Sequence, residues 1–233
     1  MGLCQLLMNK QNLVIDGHHV SIIDDFYSKD ICANWLRFYL QTSFKIAACE
    51  DGTINDTMGS PYFFTKGLSK QELEEVFEMS NNVLDEVTQW NEARGTDFTY
   101  TDCTRAHVNL TQSCDHFSGH VDHPTNDILI FLWFGNPYFD DNGGGIYLGN
   151  NGDIVKHKFN RCVVFPGSLW HRIQSLTNDA SIRLSVYIGF AKTLTAQKQL
   201  KFNEATSLNV LSKDNANTDE IMKMLHRDFG IGF

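Results

Sequence analysis

The chain has 233 residues, enough for one domain that buries a hydrophobic core without disulfide support. Its 28 acidic residues outnumber its 19 basic ones, and the net charge of -9 opposes the counterion release on which nucleic-acid binding depends. Six cysteines without a CxxC pair give no indication of a zinc ribbon or a disulfide scaffold. Since no secretory signal precedes the core either, we expect a cytoplasmic protein with no nucleic-acid or membrane partner. The composition does not indicate an oligomeric state.

The first half of the chain is predicted to be mainly helical. A short strand over residues 20–23 leads into a helix capped by Ser28. A second helix is predicted to begin at the capping box of Ser69 and Glu72 and to reach Trp90, because its apolar residues follow the helical period.

The second half changes to short β-rich runs separated by turn residues. Strands are predicted over residues 105–110, 117–121, 128–134, 146–148, 162–165 and 182–190. Many short strands in about ninety residues indicate a jelly roll. We therefore expect a mainly β fold with supporting α-helices, in a single domain. Its parts are helical support over 1–103, a jelly-roll core over 104–191, and a C-terminal extension over 192–233 with a candidate helix at 219–229.

His120 and Asp122 lie one residue apart at the end of a predicted strand. Because side chains alternate along a strand, both can contact one metal ion. The pair alone is a weak signal, since the composition nearly predicts one such pair by chance. His171 strengthens it, because it stands where another strand is predicted to begin. Two imidazoles and one carboxylate on an octahedral iron leave three positions free, as a bidentate co-substrate and dioxygen require.

Arg183 and Ser185 share one side of a predicted apolar strand. An arginine in such a run is costly to bury unless it has an anionic partner. Its guanidinium can pair with a carboxylate through two parallel hydrogen bonds, and the Ser185 hydroxyl can add a third donor. The distal carboxylate of 2-oxoglutarate fits this clamp. A structural bridge between Arg183 and an aspartate is the alternative.

Residues 104–191 resemble the catalytic core of the prolyl 4-hydroxylase-like branch of the iron(II)- and 2-oxoglutarate-dependent oxygenases. The similar stretches, in order, are Arg105-Ala-His-Val-Asn109, Gly119-His-Val-Asp-His-Pro124, Gly144-Gly-Ile-Tyr-Leu148, Asn160-Arg-Cys-Val-Val-Phe165, His171 and Arg183-Leu-Ser185. Residues 21–27 also resemble the N-terminal opening of the family.

The resemblance implies a double-stranded β-helix of the cupin-like kind. It implies iron(II) bound by His120, Asp122 and His171, which are then the catalytic centre, and 2-oxoglutarate bound by Arg183. The expected activity is a dioxygenase that hydroxylates a C–H bond of a prolyl or other peptide residue, or of a small molecule, with release of succinate and carbon dioxide. Dioxygen is the second co-substrate, and ascorbate is a further candidate cofactor. Retention of Asp122, where family halogenases carry a small residue, favours hydroxylation.

Phe134 departs from the family pattern, since many prolyl hydroxylases carry a tyrosine there whose hydroxyl helps to hold the co-substrate. Another donor is then needed, and Asn109 is the candidate. Residues 132–137 also depart from the usual pattern, which leaves a prolyl substrate open. Candidate substrate contacts are Arg172, Trp133 and His123, with ordinary packing or solvation as the alternative for each.

Two other functions stay open. A cupin-like binding or sensing module would use the same barrel and metal without oxidation. An oxygenase could instead carry out demethylation, desaturation or ring chemistry, which the iron centre alone does not decide. A local zinc cluster of His116, His120 and His123 is disfavoured, because the residues between them are poor helix formers.

Overall fold

A computed structural model of the protein describes residues 9–41, 45–47, 63–69, 71–72, 82–92, 100–112, 119–125, 128–135, 142–177 and 182–192. No helix in these ranges is long and apolar enough to cross a membrane. The predicted helix at 219–229, the C-terminal extension beyond residue 192 and the start of the predicted strand at 117–121 lie outside the described residues.

The described chain contains two helices and eleven strands. In order they are β1 (Asn9–Ile15), β2 (His18–Asp24), α1 (Lys29–Gln41), β3 (Lys45–Ala47), β4 (Phe63–Gly67), α2 (Asn82–Glu92), β5 (Tyr100–Gln112), β6 (Ile128–Phe134), β7 (Ile146–Leu148), β8 (Asp153–Val155), β9 (Cys162–Pro166), β10 (His171–Ile173) and β11 (Ile182–Lys192). Eight strands form one antiparallel sheet, the major sheet, in the order β1-β2-β9-β6-β11-β5-β4-β3. The minor sheet has the order β10-β7-β8 and is also antiparallel. This confirms the predicted mainly β fold with supporting helices.

Strand β6 shows how the layers are arranged, because its side chains alternate between two cores. Leu129, Phe131 and Trp133 belong to the core between the major sheet and the helices. Ile130, Leu132 and Phe134 belong to the core between the two sheets. The described residues therefore form three layers, and the space between the sheets lies on the Phe134 side of the major sheet.

Both predicted helix starts are confirmed by their caps. The Ser28 hydroxyl accepts a hydrogen bond from the amide of Ile31 at 3.4 Å, at the start of α1. The amide of Ser69 donates to the Glu72 carboxylate at 2.6 Å, and the amide of Glu72 donates to the Ser69 hydroxyl at 3.2 Å. Of the predicted second helix, residues 73–81 lie outside the described residues and α2 forms its later part.

The first half contributes more strands than the sequence predicts. β1, β3 and β4 were not expected there, and all three extend the major sheet. The first four residues of β1 are polar and exposed, as is common at a sheet edge, and only Leu13 and Ile15 at its end pack against the core between the sheets. Within the described part of residues 1–103, strands of the major sheet therefore accompany the two helices.

Asn160 ties three elements together just before β9. It adopts a left-handed backbone conformation with φ 61°, which asparagine tolerates better than most residues. Its side chain accepts hydrogen bonds from the Tyr27 amide (2.9 Å) and the Trp133 indole (3.0 Å), and donates to the Tyr27 carbonyl (2.7 Å). Asn160 is itself buried. This amide joins the approach to α1 to the middle of the major sheet.

Three cysteines among the described residues are free thiols, namely Cys32, Cys103 and Cys162. Burial raises the pKa of the Cys32 and Cys103 thiols to about 12, so both stay protonated at neutral pH.

Candidate metal centre

The first two predicted ligands lie on a loop, residues 119–125, which we call the ligand loop. His120 is joined to His171, the first residue of β10, by reciprocal backbone hydrogen bonds of 2.9 Å each. The amides of Asp122 and His123 both donate to the carbonyl of Gly167, at 2.9 and 3.1 Å, in the turn after β9. The loop is therefore fixed by backbone bonds against the segment that carries the third ligand.

The side chains of His120, Asp122 and His171 converge, with one ligand atom from each lying within 4.8 Å of the others. His120 Nε2 is 3.3 Å from Asp122 Oδ1, and His171 Nε2 is 3.8 Å from Asp122 Oδ2. The ligand loop contains an isolated β-bridge at His120 where a strand was predicted. The predicted alternation still holds, because Val121 between the two ligands is 44% exposed.

The ring orientation of His171 is set by a backbone carbonyl. His171 Nδ1 lies 3.0 Å from the carbonyl oxygen of Leu169. Because a carbonyl can only accept, Nδ1 must carry the proton, and Nε2 of the neutral ring keeps its lone pair toward Asp122. His171 is buried, so this tautomer is held in a site with little water.

Asp122 is the anionic member of the cluster, and its side chain is only 3% exposed. Its Oδ2 accepts a hydrogen bond from the Tyr187 hydroxyl at 3.0 Å. Its Oδ1 is buried and accepts no hydrogen bond from the described residues, although it faces the His120 imidazole. A buried carboxylate oxygen beside two imidazoles is completed by a divalent cation. The residues present therefore fit a metal with nitrogen and oxygen ligands.

Arg183 and Ser185 lie on β11, on the face that looks into the space between the sheets. Both are fully buried, and the Arg183 guanidinium lies 5.0 Å from the centre of the Phe134 ring. The Ser185 hydroxyl has no hydrogen-bond partner among the described residues. A buried hydroxyl in that position costs free energy unless a further group completes it. A carboxylate bound beside the guanidinium would do so, and the pair therefore fits the distal end of 2-oxoglutarate.

No protein-family model matches the sequence, and no curated protein matches it at a significant level. Solved structures do match its fold. A prolyl hydroxylase from Trichoplax adhaerens, in complex with a peptide fragment of the hypoxia-inducible factor oxygen degradation domain, is 18% identical, with TM-score 0.59 over 76% of this chain and 87% of that one. The chain has the double-stranded β-helix fold of the 2-oxoglutarate-iron(II) oxygenases.

Two further structures of this oxygenase fold are similar. An oxidoreductase of the 2OG-Fe(II) oxygenase family from Burkholderia pseudomallei is 12% identical, with TM-score 0.55 over 74% of this chain and 84% of that one. HygX from Streptomyces hygroscopicus, solved with nickel, 2-oxoglutarate and hygromycin B bound, is 9% identical, with TM-score 0.55 over 75% of this chain and 83% of that one. At these identities the likeness concerns the fold.

Within the oxygenase fold, Asn109 is the cross-strand partner of Ser185, on β5. Directly paired residues point to the same face, so Asn109 lies on the face that carries Arg183 and Ser185.

His157, which follows β8, is buried and lies 4.9 Å from Phe134, ring centre to ring centre. Burial, and then the charges of Arg183 and Arg161, lower the pKa of His157 to about 3.

The three predicted substrate contacts do not lie together. Trp133 is buried on the helix side of β6 and donates its indole N–H to Asn160, so it points away from the space between the sheets. Arg172 is exposed on the opposite face of β10 from His171, with its guanidinium 4.7 Å from the Tyr147 ring centre. His123 is half-buried on the ligand loop, and its Nδ1 lies 3.0 Å from the Thr125 hydroxyl.

Tyr187 escaped the sequence interpretation as a neighbour of the candidate metal centre. Tyr187 follows Ser185 by two positions, so the same alternation that joined Arg183 to Ser185 also places it on the metal side of β11. His107 is its cross-strand partner on β5, and the two rings stack at 4.6 Å with an interplanar angle of 11°. The alternation of side chains along the predicted strand could have placed Tyr187 on the same face as Arg183 and Ser185.

Proposed function

We propose that this chain is an iron(II)- and 2-oxoglutarate-dependent dioxygenase, a hydroxylase of C–H bonds. One observation carries the proposal. The triad of His120, Asp122 and His171 converges on the side of β11 that also presents buried Arg183 and Ser185. Tyr187, on the same strand, contacts Asp122 directly and links the two groups. A metal centre and a carboxylate clamp on one strand face are what a metal-bound 2-oxo acid requires.

Each group has a defined role in this proposal. His120, Asp122 and His171 would hold iron, which together with 2-oxoglutarate and dioxygen supplies C–H hydroxylation with succinate and carbon dioxide as co-products. The Leu169 carbonyl keeps the proton of His171 on Nδ1. Arg183 and Ser185 would orient the distal carboxylate, with Asn109 as a further donor. Burial of the two strand residues removes competing water and so strengthens their pairing with an anion.

The substrate class is proposed as a prolyl or other peptide residue or a small molecule. Proteins of this fold have been solved with a peptide fragment and with hygromycin B. The ligand loop is the open side of the centre, since the His120 side chain is 37% exposed and Val121 is 44% exposed. His123 lies beside this opening. With a net charge of -9, the chain favours a neutral or cationic substrate over a polyanion.

The activity is tested with purified protein, iron(II), 2-oxoglutarate and oxygen. We expect succinate formation, including slow turnover without substrate, and its loss in His171→Ala, because two ligands do not retain the metal. His19→Ala, an exposed histidine on β2, is the matched control and keeps full activity. Absence of succinate with the wild type and every substrate pool would contradict the proposal.

Binding of 2-oxoglutarate separates the oxygenase from a cupin-like binding module. Calorimetry with manganese-loaded protein is expected to show binding, and Ser185→Ala is expected to weaken it about tenfold, the cost of one hydrogen bond to a charged group. Ser185→Ala leaves the thermal midpoint near that of the wild type, since the hydroxyl has no partner among the described residues. If the protein binds manganese but not 2-oxoglutarate, the result supports the cupin-like binding module and contradicts the oxygenase.

A further inference from the structure

Asp122 can offer a metal either one oxygen or two. Its Oδ1 faces His120 Nε2 at 3.3 Å and its Oδ2 faces His171 Nε2 at 3.8 Å, so both oxygens border the place where the three ligands meet. If both oxygens bound an octahedral ion, the protein would fill four positions and leave two. With one oxygen bound, three positions stay open.

Tyr187 is the group that distinguishes the two oxygens. Its hydroxyl donates to Oδ2 at 3.0 Å, while Oδ1 accepts no hydrogen bond from the described residues. The Asp122 side chain is 3% exposed, so solvent has little access to replace this hydrogen bond. A lone pair engaged by a hydroxyl is a poorer metal ligand, and the hydrogen bond also fixes the rotation of the carboxylate.

The Tyr187 ring is held in place from three sides. His107 stacks against it at 4.6 Å, nearly parallel, from the adjacent strand β5. The Arg105 guanidinium lies 5.4 Å from its ring centre. Gly189 leaves it room, since a Cβ at that position would lie 3.3 Å from Tyr187 Cε1 and 3.4 Å from its hydroxyl. Tyr187 itself is 7% exposed. These contacts fix the ring and therefore the position of its hydroxyl oxygen beside Asp122.

We propose that Tyr187 is a positioning residue that holds Oδ2 of Asp122, so that this carboxylate ligates the metal through Oδ1 alone and three coordination positions stay open. This inference rests on the proposed function, because two of those positions would take 2-oxoglutarate and the third dioxygen. The effect of Tyr187 passes through Asp122.

The test counts the water molecules on a bound ion. Manganese(II) enhances the relaxation of water protons in proportion to the number of its exchanging water ligands. In Tyr187→Phe the ring and its stacking on His107 remain but the hydroxyl is lost, so Oδ2 is free to bind the ion. When the Tyr187→Phe protein is saturated with manganese, we expect water-proton relaxation per bound ion to be about one third lower than in the wild type. The reason is that the number of water ligands falls from three to two.

Two further variants separate this role from a structural one. Tyr147→Phe removes a hydroxyl from the outer side of the minor sheet and is expected to leave relaxation per bound ion unchanged. Gly189→Ala is expected to lower it in the same direction as Tyr187→Phe, because the added methyl would lie 3.3 Å from Cε1 of Tyr187, and the ring must shift to relieve that contact. A purely structural role would change the thermal midpoint or the manganese affinity but not the relaxation per bound ion.

Steady-state kinetics give a second readout. With one position fewer on the metal, Tyr187→Phe is expected to keep its KM for 2-oxoglutarate and lose about tenfold in kcat, because the dioxygen position is the one affected. Equal relaxation per bound ion in wild type and Tyr187→Phe overturns the inference and leaves the proposed function intact. If His171→Ala binds manganese as tightly as the wild type, the metal centre itself is refuted.

Discussion

At the scale of single residues, Asn160 joins distant segments of the fold through its hydrogen bonds. One side-chain amide forms three hydrogen bonds in a buried position, to the Tyr27 amide and carbonyl and to the Trp133 indole. Its backbone also accepts from the amide of Phe26. The sequence shows an asparagine before an apolar strand, which suggests a turn. Its partners Tyr27 and Trp133 lie 133 and 27 positions back along the chain, so local sequence could not predict the contacts.

Asn160→Ala is expected to lower the free energy of unfolding by about 3 kcal/mol, because buried partners on Tyr27 and Trp133 lose their hydrogen bonds. Alanine at φ 61° adds backbone strain of about 1 kcal/mol. Urea unfolding followed by tryptophan fluorescence measures the loss. Asn160→Gly is the matched variant, since glycine accepts the backbone angle, and it is expected to be the more stable of the two by that amount. A loss below about 1 kcal/mol in Asn160→Ala would show that other groups replace its hydrogen bonds.

At the scale of elements, the ligand loop and β10 fit together through one glycine. A Cβ at Gly119 would lie 1.8 Å from Cζ2 of Trp170, so the indole packs directly on the glycine backbone. Gly119 precedes the first proposed ligand, His120, and Trp170 precedes the third, His171. The contact therefore sets the spacing between the segments that carry His120 and His171.

Gly119→Ala is expected to weaken manganese binding about tenfold or more, because either the loop or the indole must move and a ligand moves with it. Calorimetry with manganese gives the affinity. Gly152→Ala, in the turn between β7 and β8, is the opposite case: the added methyl meets open space, but φ 71° makes it strained. It should lower stability by about 1 kcal/mol without changing the metal affinity. Unchanged affinity in Gly119→Ala would mean that Trp170 moves without displacing His171.

At the scale of the whole molecule, acid should destabilise the fold through His157. Burial and the charges of Arg183 and Arg161 hold its pKa at about 3 in the folded state, against 6.5 ordinarily. Between these values the unfolded chain binds a proton that the folded protein does not, so stability falls as the pH falls. The expected slope is about 1.4 kcal/mol per pH unit for one proton.

Urea midpoints from pH 7 to pH 4 measure this slope. His157→Gln is expected to lower the slope of stability against pH by about 1.4 kcal/mol per pH unit, the contribution of one proton, since glutamine does not titrate. A further loss of stability below about pH 4 is expected from carboxylates such as Asp24. Burial works to raise the pKa of Asp24, but hydrogen bonds and charges from Arg161 and Lys158 outweigh it and lower the pKa below 3.8. The stability from this pair is present above pH 3.8 and is lost as the pH falls through the lower folded value. Identical slopes in wild type and His157→Gln would contradict the assignment to His157.

How far the sequence predicts this molecule depends on how local each signal is. Strands β6 and β7 were predicted to the residue, because each is an apolar run with clear turns beside it. The triad was predicted by its spacing and by the order of motifs around it. β1 escaped, since it is an edge strand whose first four residues are polar and exposed, and the two core-facing residues at its end are too few for a strand pattern. Trp133 illustrates the other limit: its proximity to the triad in sequence says nothing about which of the two cores its strand position faces.

The reciprocal backbone bonds between His120 and His171 give the metal centre a thermodynamic character of its own. The two histidines come from distant parts of the chain, and the same pair of hydrogen bonds that joins their backbones also closes the ligand loop onto the minor sheet. Separating the ligand loop from the minor sheet would therefore also pull His120 away from His171 and release a bound ion. By mass action, a bound metal should stabilise the attachment of the ligand loop to the minor sheet in proportion to the logarithm of the metal concentration above Kd. The rate of amide hydrogen exchange at His171 would then report the fraction of protein molecules that hold the metal.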